Sequence, residues 1–290
     1  MILIDYSQVF ISNMMKQIGT TQTIEPDLIR HMVLNSILGY KKKFSRRYGE
    51  IVICCDSAAS WRKAVYPYYK ASRKKNRDDS SHNWNEIFQA LSDIKEEIRD
   101  NLPYKVLSYP HAEADDIIGT LVIEHGYHGS SRNNAEEQIL IISGDKDFIQ
   151  LLHYDNVDQY SPVLKKFIAE DNPDRFLRQH IILGDRGDGV PNILTGDTVF
   201  MIPGERQKPV SKIKLDQWSS LDPNVFCTTD EMKANYARNE VLIDLRKIPE
   251  QIRSGIVTTY KEYEVPSRTK LIPYFMSKRL SKLIESVGDF

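Results

Sequence analysis

Short apolar segments alternate with helical patterns through the first half of the chain. Four segments rich in branched residues predict β-strands at residues 2–5, 51–56, 104–109 and 138–144. Between them, the spacing of apolar residues predicts helices at residues 26–48, 84–101 and 112–124. Strands that are apolar on both faces and separated by helices are typical of parallel sheets. The sequence therefore predicts an α/β fold with a mainly parallel central sheet flanked by helices.

The second half of the chain has a different pattern. After about residue 161 the apolar spacing is helical, with candidate helices at residues 173–183, 231–246, 249–263 and 270–286. The stretch 204–222 is rich in Lys, Pro and Ser, which predicts an irregular loop. We therefore expect an α/β domain over residues 1–170 and a helical C-terminal domain over residues 171–290.

Composition narrows the class of protein. A chain of 290 residues buries enough apolar surface to fold without disulfides. It has three cysteines, two of them adjacent at Cys54 and Cys55, and no CxxC spacing that could hold zinc. A mean hydropathy of −0.44 is that of an ordinary water-soluble chain, and neither a signal peptide nor a long apolar run is present. We expect a cytoplasmic protein without a membrane partner, and a monomer.

The net charge of −1 conceals a strong segregation of the two signs. Residues 41–47 (KKKFSRR) hold five cations and residues 62–77 (RKAVYPYYKASRKKNR) hold seven, with no acid in either stretch. Carboxylates are concentrated elsewhere in the chain. Basic patches beside an acidic cluster are typical of a protein that holds a polyanion against metal ions.

Acidic residues follow three of the predicted strands. Asp5 ends the first strand, Asp56 ends the second, and the segment SGDKD places Asp145 and Asp147 after the fourth. Ligands of open parallel sheets bind outside the carboxyl ends of the strands, so these acids should meet at one rim. The segment HAEADD adds more carboxylates at a helix start: Glu113 and Asp116 share a face there, and Asp115 lies about 100° to one side.

Such crowding requires a counter-charge. Two like charges about 4 Å apart repel by about 4 kcal/mol at an effective dielectric of about 20. Oxygen ligands without a neighbouring His or Cys set favour magnesium or manganese over zinc. Two such ions about 4 Å apart stabilise both the attacking and the leaving oxygen of a phosphodiester displacement. Any one of these acids could instead be a helix cap or a turn residue. A haloacid-dehalogenase-like site would require DxD on the first strand, where the chain has Asp5-Tyr6-Ser7.

The order of six motifs carries a family resemblance. LIDYS, CCDSAASWR, YYKASR, EADDIIG, SGDKDF and GDRGDGVP together resemble the structure-specific 5′ nuclease family of flap endonucleases and 5′-3′ exonucleases. Within that family the chain is most similar to the phage ribonuclease H branch, and the similarity covers nearly its full length. The resemblance implies a PIN-like 5′ nuclease fold. It also implies a helical arch at about residues 61–82 and a helix-three-turn-helix that grips duplex DNA.

The resemblance also implies roles for individual residues. The first metal would be held or oriented by Asp5, Asp56, Glu113, Asp115 and Asp116, and the second by Asp145, Asp147 and Asp188, with Asp185 as a further candidate. Tyr69, Lys70 and Arg73 match the residues at the base of the arch that contact the scissile phosphate. Cations interleaved with tyrosines suit phosphate contact and base stacking. The candidate DNA-binding residues are Arg62, Lys63, Lys74, Lys75, Arg77, Gly189, Val190, Lys208 and Lys212.

The implied activity is hydrolysis near 5′ ends of DNA duplexes and RNA-DNA hybrids. It would use two Mg²⁺ ions, for which Mn²⁺ can substitute, and would remove RNA primers during lagging-strand replication in a phage-infected bacterial cell. Branched or nicked duplex DNA and RNA-DNA hybrid are the expected substrates. A single-stranded-DNA-binding protein and a sliding clamp of a phage replisome are the candidate protein partners. Two alternatives stay open: a catalytically silent protein that binds branched DNA, and a PIN-like ribonuclease.

Overall fold

The computed structural model describes residues 1–18, 25–73, 77, 83–128 and 137–290. Within these ranges six strands form one sheet in the order β3-β2-β1-β4-β5-β6. The first five strands are parallel, and β6 runs antiparallel to β5. This arrangement confirms the predicted mainly parallel sheet. The strands are β1 (Ile2–Asp5), β2 (Ile51–Cys54), β3 (Lys105–Leu107), β4 (Ile139–Ile142), β5 (Val157–Ser161) and β6 (Lys166–Ile168).

Helices flank this sheet and make up most of the C-terminal half. In the part of the chain that the structure describes, none of them is long and apolar enough to cross a lipid bilayer. They are α1 (Tyr6–Ile18), α2 (Pro26–Tyr48), α3 (Arg62–Val65), α4 (Trp84–Asn101), α5 (Ala114–His125), α6 (Pro173–Leu183), α7 (Lys212–Trp218), α8 (Pro223–Phe226), α9 (Asp230–Ile243), α10 (Glu250–Glu262), α11 (Leu271–Ser277) and α12 (Ser281–Ile284). Short 3₁₀ segments lie at Lys146–His153, Leu245–Lys247, Arg268–Lys270 and Val287–Asp289.

Both faces of the sheet are buried, which explains why the strand segments are apolar at every position. Ile2 and Ile4 point to one face, where α1, α2 and α4 pack together with α11 and α12. Met1 and Leu3 point to the other face, which α5, α10 and residues 245–248 cover. The helices after residue 245 therefore pack on the sheet itself. The division of the chain at residue 170 stays a prediction.

Several elements depart from the sequence predictions. Helix α1 and strands β5 and β6 were not predicted, and the three longer predicted strands extend past the observed ends. The irregular loop predicted at residues 204–222 is wrong at α7, because Ser211 caps a helix there by accepting a hydrogen bond from the Lys214 N–H. The single helix predicted at residues 270–286 is two helices, separated near Arg279, whose φ of 54° is left-handed.

A third cluster of buried residues lies beside the sheet. Tyr66 and Tyr69, from the base of the predicted arch, pack there against α6 and α9. Residues 184–204, between α6 and α7, run as successive turns in the place where the resemblance implies the helix-three-turn-helix. Of the predicted arch, residues 61–73 and 77 are described, whereas residues 74–76 and 78–82 lie outside the described ranges.

Candidate active site

The acidic site lies where the sheet topology predicts it. Strand order reverses direction at β1, whose neighbours are β2 and β4, and the carboxyl ends of these strands form one rim. A cleft of about 470 Å³ opens at this rim. Seven of the nine predicted metal ligands line it: Asp5, Asp56, Asp115, Asp145, Asp147, Asp185 and Asp188.

Local hydrogen bonds fix several of these carboxylates. One oxygen of Asp5 accepts from the Gln8 N–H at 3.1 Å and the other from the Ser143 hydroxyl at 3.1 Å. Asp56 accepts from the Ala114 N–H at the start of α5, at 2.9 Å. Asp145 Oδ1 accepts from the Asp147 N–H at 3.0 Å. These carboxylates therefore accept the hydrogen bonds of caps and turns, and the same bonds hold the carboxylates at the rim.

Burial and mutual repulsion make this cleft unfavourable for bare carboxylates. Burial raises the pKa of Asp5 to about 7, and the charges of Asp56 and Asp145 add to the effect. Burial and Asp145 likewise raise the pKa of Asp147 to about 7. The pKa of Asp115 also rises well above its usual range because of burial and the neighbouring Asp145. A hard divalent cation would relieve this repulsion and keep the carboxylates ionised.

One end of the cleft contains a histidine that the sequence did not single out. Asp147, His180 and Asp185 have ligand atoms within 4.8 Å of one another. His180 Nε2 lies 3.2 Å from Asp185 Oδ2, and its Nδ1 lies 3.4 Å from Asp147 Oδ1. Although burial opposes it, His180 and Lys146 hold the pKa of Asp185 below its usual range. A lone histidine inside a helical pattern carries no sequence signal for such a role.

Asp116 does not reach the cleft. Its side chain is 0% exposed, its Oδ1 lies 2.9 Å from Arg62 Nη1, and its Oδ2 accepts from Trp61 Nε1 at 3.1 Å. Asp116 also accepts from the Glu113 N–H at 2.8 Å, which closes a capping box at the start of α5. The prediction that Asp116 converges on the rim with Asp5 and Asp56 is therefore wrong. Asp115, one position earlier, points into the cleft instead.

Glu113 lies behind the rim and receives the base of the arch. Its Oε1 accepts from Lys70 Nζ at 2.6 Å, and its Oε2 accepts from the Tyr69 hydroxyl at 2.8 Å. Despite burial, Lys70 and Arg62 hold the pKa of Glu113 below its usual range. Glu113 thus forms ion pairs with cations of the protein itself, and it positions Lys70 at the edge of the cleft.

Lys70 and Arg73 are the two cations that line the cleft from the arch side. The backbone of Lys70 is left-handed, with a φ of 56°, and its N–H donates to the carbonyl of Asp188 at 2.7 Å. Lys70 Nζ lies 3.7 Å from Asp188 Oδ2, and Arg73 donates to Asp188 Oδ1. Tyr69, whose hydroxyl joins Glu113 to Asp188, is only 3% exposed. It can act on a phosphate only through these neighbours.

The candidate DNA-binding residues divide into buried and exposed groups. Arg62 is 3% exposed and donates to the Leu242 carbonyl at 2.9 Å, so its assignment as a direct DNA contact is wrong. Val190 is 1% exposed in the third core, and Gly189 is buried where a Cβ would lie 3.1 Å from the Tyr68 carbonyl. A contact of Gly189 or Val190 with DNA would have to be made through the backbone, and it stays a prediction. Surface positions are held by Lys63, Lys208 and Lys212, with Arg77 half-buried, whereas Lys74 and Lys75 lie outside the described residues.

Comparison with protein families decides the affiliation of the chain. Residues 2–179 match the family model described as 5′-3′ exonuclease, N-terminal resolvase-like domain. Residues 173–290 match the model described as T4 RNase H, C terminal. The chain belongs to the 5′-3′ exonuclease family. The resemblance inferred from the motifs is thereby confirmed.

Individual proteins that are similar to this chain support the same family membership. It is 35% identical to the ribonuclease H of Enterobacteria phage T4, over 99% of this chain and 95% of the phage protein. It is 31% identical to the flap endonuclease Xni of Shewanella sp. strain MR-4, over 46% of this chain and 48% of that protein. It is 30% identical to DNA polymerase I of Mycobacterium tuberculosis strain H37Rv, over 67% of this chain but 21% of the polymerase.

Solved structures confirm the fold. A bacteriophage T5 flap endonuclease in complex with DNA and metal ions superposes with a TM-score of 0.61 at 16% identity, covering 90% of this chain and 97% of the other. The bacteriophage T5 5′-exonuclease with bound zinc gives 0.60 at 14% identity, covering 90% and 98%. The 5′-3′ exonuclease family member described here therefore has the predicted PIN-like fold.

Proposed function

We propose that this chain is a divalent-metal-dependent 5′ nuclease that hydrolyses phosphodiesters near the 5′ ends of DNA duplexes and RNA-DNA hybrids. It works as a 5′-3′ exonuclease and flap endonuclease with ribonuclease H activity, and it removes RNA primers in lagging-strand replication. One observation carries the proposal: seven carboxylates line a single cleft, and Lys70 and Arg73 stand at its edge. Family membership and the match to the phage T4 ribonuclease H support it.

The donor set fits two hard divalent ions, which we propose to be Mg²⁺ with Mn²⁺ as a substitute. Burial and the charges of Asp56 and Asp145 raise the pKa of Asp5, and burial and the charges of Asp145 and Asp5 raise that of Asp115. Asp5, Asp56 and Asp115 would hold the first ion. Burial and the charges of Asp145, Asp188 and Asp185 raise the pKa of Asp147, and these four residues would hold the second. When bound, such ions polarise the phosphoryl oxygens and lower the pKa of the attacking water. Asp145 lies between the two groups. Glu113 and Asp116 would orient the site from behind.

Lys70 and Arg73 would bind the phosphoryl group next to the scissile bond. Both form ion pairs with Asp188 at the rim, so an incoming phosphate would compete with Asp188 for these cations. The left-handed backbone at Lys70 and the hydrogen bond that it donates to Glu113 hold the ammonium group at the cleft edge before substrate arrives. Cations positioned in advance stabilise developing negative charge without a cost of reorganisation.

Duplex DNA would be gripped away from the cleft. The exposed Lys208 and Lys212 lie in the region between α6 and the end of α7, and Lys63 and Arg77 lie on the arch side. Lys74 and Lys75, which lie outside the described residues, stay candidate DNA contacts from the sequence. Branched or nicked duplex DNA and RNA-DNA hybrid are the proposed substrates, and a single-stranded-DNA-binding protein and a sliding clamp are the proposed partners. The protein would act as a monomer in the cytoplasm of an infected bacterial cell.

Cleavage of a matched substrate set tests this function. The purified chain should cut labelled 5′-flap, nicked and RNA-primed substrates in the presence of Mg²⁺, and should release products that carry a 5′ phosphate. In metal-free buffer, cleavage should stop while binding to forked DNA persists. Binding without cleavage under every metal condition would favour the silent DNA-binding alternative. Equal cleavage of 5′ flaps, 3′ flaps and closed single-stranded circles would favour a PIN-like ribonuclease.

A further inference from the structure

A second pocket lies at the amino ends of the strands, whereas the acidic cleft lies at their carboxyl ends. It has a volume of about 300 Å³ and forms where β2 and β3 begin, at Ile51 and Lys105. The segment around Arg268 closes its far side. The first of the two basic stretches of the sequence contributes Lys41 to the wall. The proposed nuclease function gives this stretch no role.

The pocket carries a net positive charge. Its lining includes three cations, Lys41, Lys105 and Arg268, and one acid, the exposed Glu50. Lys105 donates two of its three ammonium hydrogens to the carbonyls of Tyr260 and Tyr263, at 3.0 Å each, so one hydrogen is left for a ligand.

The other two cations have little compensation. Arg268 donates to the carbonyls of Val287 and Gly288, which are neutral groups. Lys41 Nζ lies 5.3 Å from the centre of the Tyr104 ring. Burial lowers the pKa of Lys41, and so does the nearby charge of Arg268, while Glu50 and Asp289 oppose this. Lys41 is half-buried and Arg268 is exposed, and an anion between them would interact favourably with both charges.

Tyr104 supplies the observation that points to a ligand. The residue is 3% exposed, and its hydroxyl is buried without a hydrogen-bond partner among the described residues. A buried polar atom of this kind lowers the stability of the folded protein when it stays unpaired. A ligand with acceptor oxygens would satisfy the hydroxyl. A water molecule could also do so, but an anion would in addition interact favourably with the two cations.

We propose that this pocket binds a phosphate group, held by Lys41 and Arg268 and accepting a hydrogen bond from the Tyr104 hydroxyl. A tetrahedral dianion supplies both the charge and the acceptor atoms that the lining lacks. The same chemistry is offered by free inorganic phosphate and by the phosphate of a mononucleotide. Because the pocket lies at the amino ends of the strands and the cleft at their carboxyl ends, this binding is separate from the proposed nuclease activity.

Calorimetric titration of the full chain with inorganic phosphate tests the proposal. The protein is stripped of metal with a chelating resin, and chloride at equal ionic strength serves as the blank. Arg268→Gln should weaken phosphate binding at least about tenfold, in line with the loss of one charge-assisted pair. Tyr104→Phe should weaken it several-fold and, in phosphate-free buffer, should leave the melting temperature unchanged or higher, because it removes an unpartnered hydroxyl.

Two controls locate the binding. Lys166→Gln, which removes an exposed cation on the edge strand β6, should leave phosphate affinity unchanged. In the double variant Lys70→Ala/Arg73→Ala, which lacks these two cations of the cleft, the binding event that Arg268→Gln weakens should persist. Equal affinity of wild type and Arg268→Gln, loss of binding in the double variant, or no saturable binding at all would overturn the proposal.

A second titration identifies the source of the phosphate group. Adenosine monophosphate that binds more tightly than inorganic phosphate would identify a mononucleotide as the ligand, and equal or weaker binding would identify free phosphate. Either result supports the pocket, provided that Arg268→Gln weakens it. Binding of adenosine at the same affinity as its monophosphate would overturn the proposal, since the phosphate would then contribute nothing.

Discussion

Arg62 Nη1 lies 2.9 Å from Oδ1 of Asp116, and both side chains are buried. The pair joins the base of the arch to the first turn of α5. Glu113, the residue before that helix, receives Lys70. The position of Lys70 at the cleft therefore depends on an ion pair that does not itself line the cleft.

Two adjacent acids should respond in opposite ways to the same substitution. Asp116→Asn leaves the Arg62 guanidinium buried with only Glu113 beside it, so we expect a loss of about 3 kcal/mol in the free energy of unfolding. Asp115→Asn removes a carboxylate whose pKa is raised by burial and by Asp145, so in metal-free buffer it should leave stability unchanged or higher. Urea denaturation at neutral pH measures both.

Cleavage assays complete this comparison. Asp115→Asn should abolish turnover although the protein is stably folded, because it removes a proposed ligand. Asp116→Asn should retain part of its activity at temperatures well below its melting point. If Asp115→Asn were the destabilised variant and Asp116→Asn the inactive but stable one, the placement of these two side chains would be contradicted.

The metal-free protein should lose stability as the pH rises from about 4 to about 7. Asp5 and Asp147 have folded-state pKa values of about 7, above their unfolded values, so the folded state binds more protons in this window. The free energy of unfolding then falls with rising pH. The fall is about 1–3 kcal/mol if the folded and unfolded pKa values of each group differ by an effective pKa unit or so. Saturating Mg²⁺ should remove most of this dependence. Thermal unfolding with and without Mg²⁺ measures it, and Asp147→Asn should flatten the metal-free profile.

Lys70 and Arg73 should affect chemistry more than affinity. Lys70→Ala or Arg73→Ala should lower the single-turnover cleavage rate by about 10²–10³, because each removes a cation next to the reacting phosphate. Lys63→Ala is the matched control, since Lys63 is exposed on α3 and lies outside the cleft lining. It should weaken binding and reduce its salt dependence, with the saturated rate unchanged. Equal losses of rate and affinity in all three variants would make Lys70 and Arg73 general tethers.

His180 should position the second group of carboxylates. His180→Ala removes the contacts to Asp147 and Asp185, so the affinity for activating Mg²⁺ should fall about 10-fold to 100-fold, as for other residues that orient metal ligands. His180→Asn retains a hydrogen-bonding side chain and should restore part of that affinity. The Mg²⁺ concentration for half-maximal cleavage measures the effect. An unchanged Mg²⁺ requirement with a lower melting temperature would assign His180 to packing alone.

The grouping of acids at the rim could be predicted from the sequence, because it follows from the local pattern of each strand. Parallel strands are apolar throughout, and acids at their carboxyl ends must meet, so Asp5, Asp56 and Asp145 were correctly placed together. The choice between Asp115 and Asp116 depends on Arg62, which is far away in sequence, so helical spacing could not make it. His180 and the Tyr104 pocket likewise arise from packing between distant segments. The short strand β6 has no apolar run that would reveal it.

Only part of the predicted arch can be exchanged without removing buried side chains. Trp61, Arg62, Tyr66 and Tyr69 are all buried, so an exchange of the whole segment 61–82 would remove part of two cores. Residues 74–82 can be replaced by a Gly/Ser linker of equal length between Arg73 and Asn83. Such a replacement costs little when both ends of the exchanged segment stay fixed. The variant should fold, bind Mg²⁺ and keep Lys70 and Arg73 at the cleft.

What should disappear is selectivity for free 5′ ends. The intact protein should cut 5′ flaps and should leave 3′ flaps and closed single-stranded circles uncut, because the arch that the family resemblance implies would admit a strand only from its end. The linker variant lacks Lys74, Lys75 and Arg77, so it should cut 5′ flaps more slowly and prefer them less over the other two substrates. Rates on the three substrates, measured side by side for both proteins, give the preference directly. A linker variant that kept the full preference would show that selectivity lies in the described base of the arch or in the duplex-gripping region, and not in residues 74–82.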